Sequence, residues 1–326
     1  MNLLLAVLVT LCLVTGLLSW AMGTGWVRIV TVVHAICGLG LVVLAPAKMK
    51  RSVRVGMRRR RVTRWLSLVF AVMVVATVVL GFLHATGLWF GVGYWSALWT
   101  HLLLAFALIP LLVWHVTSRP VRPRATDLDR RALVSGGAVL GVSALAYGTQ
   151  ELVVGVSGLA GSDRRFTGSH EIASFEPAAM PSVSWVDDKA PSTPADEWSL
   201  SILDRPADLD ELRRAARPVV AALDCTGGWY SEQSWDCVPL ADLLEGESAR
   251  SICVVSTTGY QRLYPFGDAG HLHLATGYGD EPLRRRHGAP VRLVASGRRG
   301  PWWVKWVERV ELTDRPWWLQ FPFPLT

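Results

Sequence analysis

The sequence predicts an all-α bundle of five transmembrane helices followed by a β-rich α+β domain. Hydrophobic residues make up 51% of the 326 residues and charged residues only 18%, whereas soluble domains carry about 25% charged residues. Residues 1–131 hold 15 Lys and Arg against 2 Asp and Glu, while residues 132–326 hold 18 against 24. Residues 1–131 hold both the excess of basic residues and the long apolar segments. This combination indicates a membrane domain with basic cytoplasmic loops, and no nucleic-acid partner is expected.

Five segments are long and apolar enough to cross the lipid bilayer. A spanning helix needs about 20 apolar residues, and we predict spans at 3–22, 26–47, 65–87, 95–117 and a weaker, Gly- and Ala-rich one at 132–156. The first segment lacks the basic start of a signal peptide, so we expect a retained helix. The chain then divides into a four-helix membrane domain (1–117), a loop with the fifth helix (118–158) and an outer domain (159–326).

Basic residues crowd the second and fourth connections between these segments. The positive-inside rule places both connections in the cytoplasm, the N-terminus inside, and the residues after 157 on the outer side of the cell membrane. The basic residues are Lys48, Lys50, Arg51, Arg54, Arg58, Arg59, Arg60, Arg61 and Arg64 in the second connection, and Arg119, Arg122, Arg124, Arg130 and Arg131 in the fourth.

Histidines are the main ionisable side chains of the first four spans, and such residues in a membrane suggest a functional site. His34, His84 and His101 fall near the outer level. His115 lies four helical turns, about 21 Å, from His101. Its expected opposite, 14 residues after His34, is Lys48. We therefore expect one b-type haem near the outer face, with His34 and His101 as ligands and His84 as a substitute or a propionate partner.

Two alternatives stay open for the membrane half. The histidines can instead hydrogen-bond to neighbouring helices. Arg130 and Arg131, which precede the fifth span, fit either a twin-arginine export signal or a simple cytoplasmic anchor. In the placement of its histidines and its number of spans, the region resembles the cytochrome b561-like membrane domains.

The outer half alternates short apolar runs with turn residues, as a β-rich domain does. Predicted strands are 198–203, 219–223, 252–256, 291–295 and 304–312, and predicted short helices are 209–216 and 240–245. Three cysteines lie here, and outside the cytoplasm a pair usually forms a disulfide and leaves one over. They are Cys225, Cys237 and Cys253.

Five motifs of this half, in order, resemble the molybdopterin core of the sulfite oxidase family over residues 164–315. The first motif joins the Leu-Asp-Cys-Thr-Gly-Gly-Trp-Tyr run at 223–230 to the residues 235–244. The other four are a Ser-Thr-Thr-Gly-Tyr run at 256–260, a Leu-Ala-Thr run at 274–276, a His-Gly-Ala-Pro-Val-Arg-Leu-Val run at 287–294 and a Val-Lys-Trp-Val-Glu-Arg-Val-Glu-Leu run at 304–312. An Arg-Phe-Thr-Gly-Ser run at 165–169 also fits. The resemblance is to the bacterial, membrane-associated branch.

The resemblance implies a role for each matching residue. Cys225 matches the cysteine whose thiolate binds molybdenum, a soft ligand that suits this metal. His287 and Arg292 match residues that hold the pterin and its phosphate, where the planar guanidinium of Arg gives paired contacts. Lys305 adds a second cation, and Tyr260 is a candidate for a hydroxyl near the metal.

Other residues around these motifs have less defined expectations. Arg298 and Arg299 can reach the phosphate or an anionic substrate. Cys237 stands where the family usually has Gly, so it is either the disulfide partner of Cys225 or a resolving thiol. Three groups are expected to be structural: the charge run Arg284, Arg285 and Arg286, the core residues Trp302, Trp303 and Trp306, and an apolar tail that packs on the domain or touches the membrane, Trp317, Trp318, Phe321 and Phe323.

Together the two halves predict a molybdenum oxidoreductase anchored in the membrane. The resemblance implies oxygen-atom transfer on a small substrate, by sulfite oxidation or by reduction of an S- or N-oxide. A haem would exchange the electrons with the quinone pool or another carrier. Two other hypotheses for the function remain. One is a cofactor-free binding or sensing module on a membrane anchor, and the other is a membrane cytochrome b whose outer domain docks a partner. Substrate, direction and oligomeric state are undecided.

Overall fold

The computed structural model describes residues 2–58, 64–92, 95–118, 129–184, 188–191 and 198–320. Its chain forms two compact units. One comprises Met1–Trp20 and Gly25–His170, and the other comprises Ala21–Thr24 and Glu171–Thr326. The predicted Pro- and Ser-rich loop at 193–196, the basic residues at 59–61, 119, 122 and 124, and Phe321 and Phe323 lie outside the described residues.

The first unit is built from five long helices, all of them long and apolar enough to cross a membrane. They are α1 (Asn2–Ala21), α2 (Val27–Arg58), α3 (Arg64–Thr86), α4 (Ala97–Ser118) and α5 (Arg130–Ser157). Their positions agree with the five predicted spans. A two-stranded hairpin of β1 (Gly91–Val92) and β2 (Trp95–Ser96) precedes α4.

Helix α2 differs from its prediction because it continues past its apolar run. Pro46 lies inside it, and the helix then extends through the basic residues to Arg58. A proline in a helix removes one backbone hydrogen bond without always ending the helix. The part of the basic connection from Lys48 to Arg58 is therefore helical rather than a loop.

Helix α5 has clear signals at both ends. The carboxylate of Asp129 accepts a hydrogen bond from the backbone N–H of Ala132, at 2.7 Å, which caps the first turn. Gly158 ends the helix with φ +63°, a left-handed conformation that glycine adopts without steric cost. Arg130 and Arg131 thus form the first turn of α5 itself.

The second unit is the predicted β-rich domain, with eleven strands and two short helices among the described residues. The strands are β3 (His170–Glu171), β4 (Leu200–Ile202), β5 (Arg205–Ala207), β6 (Arg217–Asp224), β7 (Trp229–Pro239), β8 (Ser251–Ser256), β9 (Gln261–Pro265), β10 (Leu272–Tyr278), β11 (Glu281–Pro282), β12 (Arg292–Ala295) and β13 (Val307–Thr313). The helices are α6 (Leu209–Ala215) and α7 (Leu240–Leu243).

The strands form two sheets around one core. One sheet has the order β11-β10-β7-β3, with β12 on β10 and β6 on β7, and the other has the order β5-β4-β13-β8-β9. The β4–β13 pair is parallel and the other strand pairs are antiparallel. Large side chains fill the core, including the fully buried Trp235, Tyr264 and Tyr278.

The sequence did not predict β7, the longest strand. Its buried positions alternate as a strand requires, but Ser231 and Gln233 occupy two of them. Gln233 is fully buried because its amide N–H donates to the carbonyl of Ala173, at 2.8 Å, and to Ser231 Oγ, at 2.9 Å. A strand whose inward face is partly polar has no alternation of hydropathy, so its period is hidden in the sequence.

Candidate functional site

Cys225 lies in a tight turn between β6 and β7. Its backbone N–H donates to the carbonyl of Trp229, at 2.8 Å, and its carbonyl accepts from the N–H of Gly228, at 3.1 Å. Gly228 has φ +91°, which requires glycine in a turn this tight. The Cys225 turn, residues 225–228, therefore holds the thiol in one place at the end of a strand pair.

The protein environment of Cys225 acts on its thiol in opposing directions. Burial raises the pKa of the thiol to about 11, while the N–H of Gly227 and the guanidinium of Arg299 act to lower it. The N–H of Gly227 lies 3.3 Å from Sγ and donates to it. In the absence of a metal ion, a buried thiol with these donors is protonated. It is suited to become a thiolate when a metal ion replaces the proton.

Arg299 holds the backbone of the Cys225 turn. Its guanidinium donates to the carbonyl of Cys225, at 2.8 Å, and its Nε lies 3.4 Å from Asp224 Oδ1. The side chains of Arg299 and Asp224 are 1% and 4% exposed. A buried arginine in this arrangement fixes the turn geometrically, and its charge is partly compensated by Asp224.

Arg298, the neighbouring residue, points to other partners. Its guanidinium forms an ion pair with Asp268 and lies 4.8 Å from the centre of the Trp302 ring. The structure thus separates the two arginines that the sequence placed together. Arg299 belongs to the Cys225 turn, whereas Arg298 packs on aromatic rings beside an acidic partner.

His287, Arg292 and Lys305 form a group of cationic and polar side chains. Arg292 is 1% exposed and donates to the carbonyl of His287, at 2.9 Å. Its guanidinium lies 4.9 Å from the Trp235 ring centre. Gly288 brings the group together: it has φ +108°, and a Cβ there would lie 2.9 Å from Cβ of Arg292 and 3.2 Å from that of Lys305.

His287 is held in its neutral form. Its Nδ1 lies 2.6 Å from the hydroxyl of Tyr278, and the side chain is buried. Burial, followed by the charges of Arg292, Arg286 and Lys305, lowers the pKa of His287 to about 4. Neutral imidazole at physiological pH can accept or donate one hydrogen bond at the ring nitrogen that Tyr278 does not contact.

Lys305 is tied to neighbouring carbonyls. Its Nζ donates to the carbonyl of Arg286, at 2.8 Å, and to that of Val183, at 3.1 Å. Burial, followed by the charge of Arg292, lowers the pKa of Lys305 to about 7. Neither Lys305 nor Arg292 forms an ion pair within the described part of the chain. The group therefore has positive charge available to an anion.

Tyr260 does not offer a free hydroxyl. Its phenol donates to the carbonyl of Pro301, and burial raises its pKa to about 12. The sequence placed this hydroxyl near the metal because the residue follows a family motif. In the structure, the hydroxyl of Tyr260 instead holds the turn at Gly300–Trp302 through the carbonyl of Pro301.

The cysteines of this domain are free thiols in the structure. A Cys225–Cys237 disulfide does not fit because β6 and β7 pair with Asp224 opposite Tyr230 and Arg217 opposite Cys237, seven residue steps apart. At about 3.3 Å per residue the two cysteines lie on the order of 20 Å apart, whereas a disulfide needs Cα atoms within about 7 Å. The same distance contradicts a role for Cys237 as the resolving thiol of Cys225.

Sequence reasoning missed Arg262, which is 1% exposed on β9. Its Nε donates to the carbonyl of Pro301, at 3.1 Å, the same oxygen that Tyr260 contacts. A signal was present: Tyr260, Arg262 and Tyr264 alternate, and alternate residues of a strand share a face.

Two further groups that the sequence singled out lie at the surface. Arg284, Arg285 and Arg286 line a surface cavity of about 460 Å³ together with Ala190. Trp317 and Trp318 are 37% and 61% exposed.

In the helical unit, His34 and His101 face each other. Their ring centres are 6.1 Å apart, at an interplanar angle of 81°. His34 Nδ1 lies 3.0 Å from the carbonyl of Cys12, and His101 Nδ1 lies 2.7 Å from that of Thr77. In both rings the nitrogen that contacts the backbone is Nδ1, which leaves Nε2 as the atom available to a ligand.

The other two helical histidines have different surroundings. His84 Nε2 lies 2.9 Å from the carbonyl of Gly168, so this nitrogen already has a partner and is a poor substitute ligand for a haem. Its ring also contacts that of His170, at 4.9 Å between centres. His115 stacks on Phe70, with ring centres 5.5 Å apart. Of these four histidines, His34 and His101 are the two whose rings face each other.

Residues 188–320 match the family model described as the oxidoreductase molybdopterin binding domain. Among solved structures, the chain is similar to the sulfane dehydrogenase SoxCD from Paracoccus pantotrophus, with 24% identity and a TM-score of 0.35. That similarity covers 39% of this chain and 40% of the other, so the chain spans about two-fifths of that protein. No curated protein matches the chain significantly in sequence. The family match assigns a molybdopterin-binding oxidoreductase domain to residues 188–320 of the chain.

The residues of this domain fit such a cofactor. Arg292 Nε is buried and makes no hydrogen bond to any described residue, a costly state that an anionic group would relieve. No three His, Cys, Asp or Glu side chains converge within the described ranges. The site thus provides one thiolate and several cations, which suits a metal whose other ligands come from the cofactor.

Proposed function

We propose that the protein is a membrane-anchored molybdenum oxidoreductase that transfers an oxygen atom to or from a small substrate. Sulfite oxidation and reduction of an S- or N-oxide are the two forms of this reaction. The observation that supports the proposal is the fixed, buried Cys225 turn in a domain with the partnerless Nε of Arg292. A thiolate for the metal and cations for a phosphate are the two requirements of the cofactor.

Each residue would contribute to the site by its own chemistry. Cys225 would bind molybdenum through Sγ, with the N–H of Gly227 and the charge of Arg299 favouring the thiolate. Arg292, Lys305 and His287 would hold the pterin and its phosphate. The bound molybdenum centre supplies the exchange of an oxygen atom with the substrate and of two electrons with the protein.

Lys305 would have a second role as a proton-binding group. With a pKa of about 7, its Nζ is partly protonated at physiological pH. An anion bound beside it favours the charged form and raises that pKa. Binding of the phosphate or of an anionic substrate is therefore expected to take up a proton at Nζ.

We further propose that one b-type haem lies between His34 and His101 and carries the electrons. One metal ion, at about 2 Å from two imidazole nitrogens, separates the ring centres by about 6 Å, and the observed separation is 6.1 Å. Ligand histidines commonly donate their other N–H to a backbone carbonyl, as both Nδ1 atoms are placed to do. His84 would be a neighbour of the haem rather than a ligand.

The site and the haem would lie on the same side of the membrane. The basic residues that precede α3 and α5 place those connections in the cytoplasm, and five spans put the catalytic domain outside. Electrons would then pass between the molybdenum, the haem, and the quinone pool or another carrier. The lipid bilayer is thus a structural partner of the protein.

The first experiment measures molybdenum per protein in the detergent-purified full chain, expressed in a host that makes molybdopterin. We expect a ratio near one in the wild type and its loss in Cys225→Ser. Cys253→Ser is the matched control, because Cys253 is also buried but contacts Gln261 on β9, and we expect it to keep the metal. A wild-type protein without molybdenum, beside a control enzyme that is loaded in the same host, would contradict the proposal.

A further inference from the structure

Two residues of β9 and the residue that precedes this strand contact the turn beside Cys225. Tyr260, Arg262 and Tyr264 alternate along the chain and are 5%, 1% and 0% exposed. Each of them contacts the turn at Gly300–Trp302, although nothing in the family resemblance assigns Arg262 or Tyr264 a role.

The contacts converge on two carbonyl groups of that turn. The hydroxyl of Tyr260 and Nε of Arg262 both donate to the carbonyl of Pro301. The hydroxyl of Tyr264 donates to the carbonyl of Trp302. The guanidinium of Arg262 also lies 4.4 Å from the centre of the Trp302 ring. The turn is therefore held by hydrogen bonds and by a cation–π contact.

The same turn is directly joined to the Cys225 turn. Arg299 precedes it and donates to the carbonyl of Cys225, at 2.8 Å. Gly300 lies so near that a Cβ on it would be 3.5 Å from Cα of Cys225. A shift of Pro301 would therefore move Arg299 and, through it, the backbone that carries the thiol.

We propose that Arg262 is a positioning residue that holds residues 299–302 and thereby keeps Arg299 against the Cys225 turn. Its effect on the metal site rests on the proposed function, but its effect on the thiol does not. Arg262 acts through its hydrogen bond to the carbonyl of Pro301.

A charged side chain is an unusual choice for this core position. Burial lowers the pKa of Arg262, which reflects the cost of removing the guanidinium from water. Apolar residues of similar volume often replace buried charges without loss of stability. Arg262→Met is therefore expected to fold, and its losses include the hydrogen bonds to Pro301 and Gln320 and the cation–π contact with Trp302.

The test uses the full chain purified without cofactor from a host that makes no molybdopterin. The rate at which iodoacetamide alkylates Cys225 at one fixed pH is followed by peptide mass spectrometry. Arg262→Met is expected to raise this rate about tenfold, as the loss of one hydrogen bond to a charged donor allows. Arg262→Lys, which keeps a cation and one donor, is expected to restore most of the protection.

Arg309→Met is the matched control. It makes the same chemical change in the same domain, on β13, where the side chain is 43% exposed and pairs with Glu311. Its alkylation rate is expected to equal that of the wild type. Wild-type rates in a folded Arg262→Met, or an equal acceleration in Arg309→Met, would overturn the proposal.

Tyr260→Phe separates this role from general core packing. Tyr260 and Arg262 share one acceptor oxygen, so their effects on the alkylation rate should not be independent. We expect the double variant to react clearly more slowly than the product of the two single effects would give, and at a rate close to that of Arg262→Met alone. Fully multiplicative effects would contradict a common action through Pro301. Tyr260→Phe also provides a folded variant if Arg262→Met does not fold.

The molybdenum-loaded protein gives a second readout. Arg262→Met is expected to retain the metal and to shift the Mo(V) electron paramagnetic resonance signal, because the Cys225 ligand changes its orientation. An unchanged signal in a loaded variant would contradict the proposal. If no variant or wild type binds molybdenum, the proposed function fails, while the alkylation rates still decide the role of Arg262.

Discussion

At the scale of single residues, the candidate site is defined by side chains that are charged or polar and yet buried. Arg292, Arg299 and Arg262 are each 1% exposed, and such residues are rarely buried unless they have partners. Arg299 and Arg262 have protein partners that hold backbone turns. Arg292 keeps one buried nitrogen without a hydrogen bond to the described residues. For this reason we propose that Arg292 binds an anionic group.

The neutral form of His287 leads to a prediction about stability against pH. Its pKa is about 4 in the folded protein against 6.5 ordinarily, so between these values the unfolded chain binds more protons. The contribution of His287 to the free energy of unfolding is therefore complete above pH 6.5 and is lost as the pH falls toward 4. Over this window we expect the wild type to lose about 3 kcal/mol relative to His287→Gln, which is measured as a smaller difference between their thermal midpoints.

The control for this measurement is His271→Gln, because His271 is exposed on the same domain. If His287→Gln changes the slope of stability against pH between 6.5 and 4 no more than this control does, His287 is not held neutral by its surroundings.

Residue type alone is a weak guide to a residue that acts through the backbone. Cys225 was singled out because its Gly-rich turn resembles a family motif, and its role as a metal ligand stays a prediction. Tyr260 was predicted as a hydroxyl of the site, but its partner is the carbonyl of Pro301, 41 residues away. The residues around a tyrosine in the sequence do not show to which distant carbonyl its hydroxyl will donate a hydrogen bond.

At the scale of elements, glycines in α1 and α3 control the space around the facing histidines. A Cβ on Gly16 would lie 2.9 Å from Cε1 of His34, and one on Gly81 would lie 3.1 Å from Cε1 of His101. The helices can bring these rings together only because both positions lack a side chain. The pair of rings is therefore a product of helix packing and not of either helix alone.

These contacts predict how haem content depends on the two glycines. Gly16→Ala and Gly81→Ala are expected to lower the affinity for the proposed haem about tenfold or more, because the added methyl group would displace a ligand ring. His34→Ala and His101→Ala are expected to abolish haem absorbance in the purified protein. Gly137→Ala is the control, because a Cβ there meets nothing within 4 Å. Full haem content in His34→Ala or His101→Ala would disprove this ligand pair.

Strand β7 shows why some elements could not be predicted. Its outward and inward positions are both partly polar, and Gln233 is buried because Ala173, 60 residues away, offers an acceptor. The runs at 252–256 and 304–312 were recognised as strands because apolar residues fill their buried positions. Periodicity is visible in a sequence only when burial and hydropathy coincide.

At the scale of the whole molecule, the order of spans and charges predicts the topology. Alkaline phosphatase, which is active only outside the cytoplasm, is expected to be inactive when fused after Ser118, because four spans return the chain to the inside. Fused after Ser157, it is expected to be active. The opposite pattern would place the catalytic domain in the cytoplasm and would separate it from the proposed outer haem.

The sequence by itself determined the five apolar segments and the division into a helical and a β-rich part, while the role of Cys225 is a prediction that the family resemblance implies. The segments and this division follow from composition, segment length and residues adjacent in the chain, which local chemistry controls. Only the tertiary structure decided that Arg299 holds the Cys225 turn, that Cys237 is too far for a disulfide, and that Arg262 contacts Pro301. Each of these depends on strand register and on the meeting of residues distant in sequence, which hydrogen bonding and packing between elements determine.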